Sequence, residues 1–163
     1  AIERGLRSFP GVPHRLENLG SLHGMNVFND SKATNYDAAA VAIQAVPGPI
    51  VLLAGGLSKQ GDASGWLQLL EERVCSIALF GSDRDVLLGL IRGSGYSGEV
   101  MSHPNMADAV TAAIEQGKND NAASLLLSPA CASFDQYKDF EARGNHFRDI
   151  IQQHCHHQST GLD

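Results

Sequence analysis

Apolar residues fall in short dense blocks along this chain, at residues 50–54, 76–80, 99–101 and 124–127, each dominated by Val, Ile and Leu. Apolar runs of this length without polar alternation predict strands buried on both faces. Between them, residues 37–46, 64–74, 83–91 and 105–116 carry apolar side chains at helical spacing. A last helix is predicted over residues 137–154, where Phe140, Phe147, Ile150, Ile151 and His154 recur with the helical period. Strands alternating with helices predict an α/β fold, a Rossmann-like, mostly parallel sheet with helices on both faces. Upstream, residues 16–19 and 25–28 flank Ser21-Leu22-His23-Gly24, which predicts an antiparallel N-terminal hairpin. Trp66, Leu67, Leu69 and Leu70 are assigned to the core.

Composition narrows the class. A chain of 163 residues with 43% hydrophobic content is one domain with a real core. Residues 13–155 are taken as that domain. Arg4, Leu6, Arg7 and Phe9, ahead of Pro10-Gly11-Val12-Pro13, read as a short helix or arm ending in a breaker, and residues 156–163 as a frayed tail. The net charge of −6, without a Lys/Arg cluster, argues against nucleic acid. No apolar run is long enough to span a bilayer and the N-terminus lacks a signal-peptide pattern, so no membrane partner and a cytoplasmic location are expected. The three cysteines are too few and scattered for a disulfide framework.

An open parallel sheet binds ligands beyond the carboxyl ends of its strands. Three loops there carry unusual polar content: residues 29–35, residues 55–62 and the stretch from Ser128 into the last helix. In the third, amides from about Phe134 onward are expected to open the helix and face an anion. Plainer roles stay open: Asp30, Ser31 and Thr34 as caps of the following helix, and Gly55-Gly56 as an ordinary turn. The spacing of neither a P-loop nor a Gly-x-Gly-x-x-Gly dinucleotide motif is present. Convergence of lysines, hydroxyls, a carboxylate and a helix start at one edge favours a ligand site. Cys131 is assigned to packing, since nothing supplies it a base. His154-Cys155-His156-His157 lacks a second ligand cluster at zinc spacing, and no metal site is assigned.

Three segments together resemble the C-terminal domain of the Mur ligases, in the branch that adds D-glutamate: Asn29-Asp30-Ser31-Lys32-Ala33-Thr34-Asn35, then Gly55-Gly56 with Lys59 and Asp62, then the run from Ser128-Pro129-Ala130-Cys131-Ala132-Ser133 to Arg143-Gly144-Asn145. The resemblance extends from Phe9 through Pro13-His14-Arg15 to the last helix. It implies that residues 1–12 are a linker from a central ATPase domain, that this chain alone is inactive, and that a monomer is expected. It also implies the partners D-glutamate, ATP and UDP-N-acetylmuramoyl-L-alanine, with Mg2+ and most of the ATP held by the central domain. By the same resemblance, Lys59, Thr34, Ser133 and backbone amides near Phe134 and Phe140 hold D-glutamate. Arg15, Asp30 and Lys32 contact the nucleotide, and Lys32 stabilises charge during phosphoryl transfer. His14 is structural or hinge-related. Phe134 and Tyr137 stand where the family more often has Leu and Phe, and His146 where an acid is expected. Two other readings remain: a free-standing module binding an acidic metabolite or nucleotide, and a folylpolyglutamate-type ligase domain.

Overall fold

The computed structural model describes residues 12–160. The arm expected over residues 1–11 and the end of the tail, residues 161–163, lie outside them. The hairpin consists of β1 (Glu17–Leu22) and β2 (Met25–Asn29). His23 and Gly24 join them with φ of 50° and 84°. Two left-handed residues in a two-residue loop match the right-handed twist of the strands.

The chain then alternates α1 (Tyr36–Ala45), β3 (Ile50–Gly55), α2 (Ser64–Arg73), β4 (Val74–Phe80), α3 (Arg84–Gly93), β5 (Glu99–Ser102), α4 (Met106–Asp120), β6 (Ser124–Leu127) and α5 (Phe140–Thr160). The six strands lie in the order β1-β2-β6-β3-β4-β5. Only β1 and β2 pair antiparallel. The fold is therefore the expected mostly parallel α/β sheet with an antiparallel hairpin at its edge.

Each central strand feeds two cores, because successive side chains point to opposite faces. Ile50, Leu52 and Ala54 of β3 pack with Ile43 of α1, Trp66 and Leu70 of α2, and Leu87 and Ile91 of α3. Val51 and Leu53 pack on the other face with Val110 and Ile114 of α4 and Phe147 and Ile151 of α5. Burying each such side chain stabilises the fold by about 1.5–3 kcal/mol. This is why these strands read as unbroken apolar runs.

The other helices lie within a few residues of their expected bounds, and the last one departs by three residues at its start and six at its end. α5 starts at Phe140, not residue 137, because Asp139 Oδ1 accepts the Ala142 amide at 2.8 Å and caps it. The preceding residues are held otherwise: Gln136 N and Tyr137 N donate to Ser133 O, and Asp135 Oδ2 accepts Ser82 N at 2.9 Å. At its far end α5 continues past His154 to Thr160. His154 Nε2 lies 3.4 Å from Thr111 Oγ1 of α4, so this part of the helix still packs on a neighbour.

Candidate functional site

Because β6 is inserted between β2 and β3, the three loops that follow these strands emerge side by side. The helix-capping role open to Asp30, Ser31 and Thr34 falls to Asn35, whose side chain accepts Ala38 N at 2.8 Å. Asp30 turns instead into the protein and is 5% exposed. Its Oδ1 accepts Leu16 N at 3.1 Å and its Oδ2 accepts the Ser128 hydroxyl at 3.0 Å. Burial pushes this carboxyl up to about 6, against the pull of both hydrogen bonds and of the Arg15 charge. Lys32 and Arg15 are exposed beside it, and Lys32 N donates to His14 O at 3.0 Å.

The loop after β3 depends on Gly55 and Gly56, at φ 148° and 130°. A Cβ on Gly55 would strike Phe80 O, and one on Gly56 would strike Ala132 O. Only glycine permits so close an approach of backbones. Leu57 and Ala132 then exchange two amide bonds of 2.9 Å, tying this loop to the one after β6. The bridge is antiparallel, so Lys59 lies two residues beyond it on one segment and Ser133 one residue beyond it, in the opposite direction, on the other. Lys59 Nζ donates to Thr34 Oγ1 at 3.4 Å. Ser58 is held by Asp83, whose Oδ2 accepts both its amide and its hydroxyl. Lys59 is exposed and, among the described residues, forms no salt bridge.

In the third loop, Ser128 N donates to Leu53 O and Ala130 N to Ala33 O. Cys131 is fully buried and burial pushes its thiol up to about 12, so it packs and does not react. Ser133 is buried, while Phe134 is 68% exposed at the loop tip. The anion cradle expected from amides opening a helix at Phe134 is corrected here. Those amides belong to a turn, the helix begins six residues later at Phe140, and Asp139 already occupies one of its amides. Tyr137 hydrogen-bonds exposed His146 at 2.7 Å.

Three residues without an assigned chemical role organise the site. Arg143 is 1% exposed and bonds Ser31 and Cys131. His14 is buried, with its Nδ1 3.0 Å from Asn29 Nδ2 and its ring edge-on to Phe140. Asn29 Nδ2 also reaches Glu17 Oε1 and Gly144 O. Arg143 was detectable: it lies three residues after Phe140 and four before Phe147, a charge on the apolar stripe of α5.

Lys59 with the Thr34 hydroxyl, and the exposed Lys32 and Arg15, offer positive charge and donors to an anion. Among the described residues no three His, Cys, Asp or Glu side chains gather as metal ligands, so these residues do not form a Mg2+ cage by themselves. No helix among the described residues is long and apolar enough to cross a membrane.

Residues 14–131 match the family described as Mur ligase, glutamate ligase domain. The chain is 62% identical over 154 residues to the UDP-N-acetylmuramoylalanine--D-glutamate ligase of Prochlorococcus marinus strain MIT 9313, covering 94% of this chain and 34% of that protein. It is 59% identical to the enzyme of the same name from Synechococcus sp. strain CC9902, with 95% and 34% covered. The chain thus spans about a third of the length of these relatives. Among solved structures, Mycobacterium tuberculosis folylpolyglutamate synthase complexed with ADP and AMPPCP matches with TM-score 0.57 at 18% identity, over 86% of this chain and 32% of that one. Escherichia coli FolC in complex with ADP matches with TM-score 0.56 at 21% identity, over 87% and 32%. At such identity these two structures share the fold alone. The family match and the close relatives together place this chain in the Mur ligase family, as its glutamate ligase domain.

Proposed function

We propose that this chain is the amino-acid-binding, cleft-closing domain of an ATP-dependent ligase that adds D-glutamate to UDP-N-acetylmuramoyl-L-alanine in peptidoglycan synthesis. The observation that carries this reading is the pairing of Lys59 with Thr34 across two loops, beside the bridge that brings up Ser133. The Lys59 ammonium, lacking a protein carboxylate, is available to one carboxylate of the amino acid, with the Thr34 hydroxyl donating beside it. In this reading the Ser133 hydroxyl, the turn amide at Phe134 and the first-turn amide of α5 at Phe140 receive the other carboxylate, with no helix opening at Phe134. Two anchors at fixed separation select a dicarboxylate, and they leave the amine directed at the acyl phosphate held by the rest of the enzyme. Attack forms the C–N bond, and phosphate leaves. Arg15 and Lys32 face the nucleotide, where Lys32 offsets charge developing on the phosphoryl oxygens. Asp30 has lone pairs left to accept a ribose hydroxyl. ATP and Mg2+ are bound mainly by the remainder of the enzyme.

The test is an amide NMR titration with D-glutamate, with L-glutamate as control, then with ATP. Shifts are expected in residues 29–35, 55–62 and 128–140; shifts confined elsewhere would remove these loops from the site. In the whole ligase, Lys59→Ala should raise the D-glutamate KM by roughly 10- to 100-fold, the value of a charge-assisted hydrogen bond. An unchanged KM would take Lys59 out of the pocket.

A further inference from the structure

The Arg143 guanidinium is placed under the meeting point of the three loops. Its Nε donates to Ser31 Oγ at 3.0 Å and one terminal nitrogen to Ser31 O at 2.7 Å. The other terminal nitrogen donates to Cys131 O at 3.0 Å. Ser31 Oγ passes its own proton to Phe140 O at 2.7 Å, joining the first turn of α5 to the network. The loop after β3 rests on the same group, since a Cβ on Gly56 would lie 3.3 Å from its nitrogen. One planar fork therefore hydrogen-bonds the loops after β2 and β6 and leaves little room for a side chain at Gly56 in the loop after β3.

All three acceptors are neutral oxygens. Among the described residues, Arg143 forms no salt bridge; the pairs present are Lys118–Glu115 and Arg148–Glu17. Burial pulls its pKa down only to about 10, with Asp135 opposing that fall, so the charge persists at neutral pH. Keeping a charge this deeply buried, with Asp135 acting on it only from beyond ion-pair distance, is costly, and an apolar side chain would serve packing better. The cost is incurred at Ser31, three residues before Thr34, and at Cys131, two residues before Ser133.

We propose that Arg143 is a positioning residue of the glutamate site: it ties the loops after β2 and β6 together against the glycine of the loop after β3, and keeps at the base of the site a positive charge, ion-paired to no carboxylate among the described residues, that favours a dicarboxylate. This rests on the D-glutamate reading above. Two mechanisms follow, one geometric and one electrostatic. Arg143→Lys keeps the charge and loses the fork, whereas Arg143→Met loses both.

In the whole ligase, Arg143→Met should raise the D-glutamate KM by more than about tenfold, with a smaller change in the ATP KM, as expected when a buried charge-assisted network is lost. Arg143→Lys should recover part of the D-glutamate KM but not kcat. A D-glutamate KM within about twofold of wild type in Arg143→Met, or equal losses in both variants that simply follow their melting temperatures, would overturn the proposal. Ser31→Ala removes one acceptor without burying or exposing charge, and covers the case of a misfolded Arg143→Met. It should raise the same KM several-fold at near-constant Tm, and an unchanged KM counts against the network. Loop spacing has its own readout in Arg143→Lys, as amide shifts at Thr34, Gly56 and Ala132. Their absence overturns the proposal whichever amino acid the wild type uses, whereas a wild-type ligase without D-glutamate-dependent turnover overturns only the functional reading.

Discussion

Asp30 shows how burial of a single residue makes stability depend on pH. Its carboxyl is raised from 3.8 to about 6 by burial, so the folded protein binds this proton more tightly than the unfolded chain. The stability it contributes is fully present below about pH 4 and is lost as pH rises through about 6. Two pH units correspond to about 3 kcal/mol at most. Asp30→Asn keeps an acceptor for Leu16 N, and the Ser128 hydroxyl can turn to accept from the new amide. We expect urea denaturation at pH 7 to find this variant more stable by about 1–3 kcal/mol, with a flatter stability profile between pH 4 and 6, and catalysis to fall. A variant less stable at pH 7 than the wild type would contradict the cost assigned to the buried charge. Asp30 was legible in the sequence as a site candidate, but its burial was not. Its hydrogen-bond partners, Leu16 and Ser128, come from distant parts of the chain.

At the scale of elements, the instructive case is α5. Apolar spacing located the helix because Phe147, Ile150 and Ile151 bury one stripe, and burial is what periodicity records. Periodicity is silent about where a first turn starts, since that depends on a cap. Asp139 supplies it, and Asp139→Ala should cost about 1 kcal/mol in denaturant unfolding and fray the turn next to the site. A loss no larger than that of an exposed surface substitution would show that the loop contacts of Asp135 and Gln136 alone stop the helix. The hairpin was similarly anticipated around Ser21-Leu22-His23-Gly24, but Ser21 and Leu22 pair with Asn26 and Met25 and belong to β1, which leaves His23-Gly24 as the loop.

Across the whole molecule, the central strands are protected on both faces and both edges. β3 is fully buried between β6 and β4, so its amides should exchange only on global unfolding. β1 has one pairing edge and half-buried side chains, and should exchange faster by local opening. Hydrogen exchange followed by NMR checks this ordering; equal protection in β1 and β3 would mean that the hairpin opens only with the core.

The alternation of apolar strands with amphipathic helices was sufficient to establish an α/β sheet with two covered faces, because burial on both sides leaves a mark on every residue of a strand. The polar content of residues 29–35, 55–62 and 128–140, with the family resemblance, was sufficient to nominate the site. Strand order was not written locally. β6 enters between β2 and β3 although five elements separate it from β3 in the chain, and only that insertion sets the loops carrying Thr34, Lys59 and Ser133 side by side. Nor did the chain announce that Asn35 would cap α1, that Asp139 would start α5, or that Arg143 would tie the loops after β2 and β6 together. Each of these is a contact between residues apart in sequence or a choice among equivalent acceptors, which packing resolves and local pattern does not.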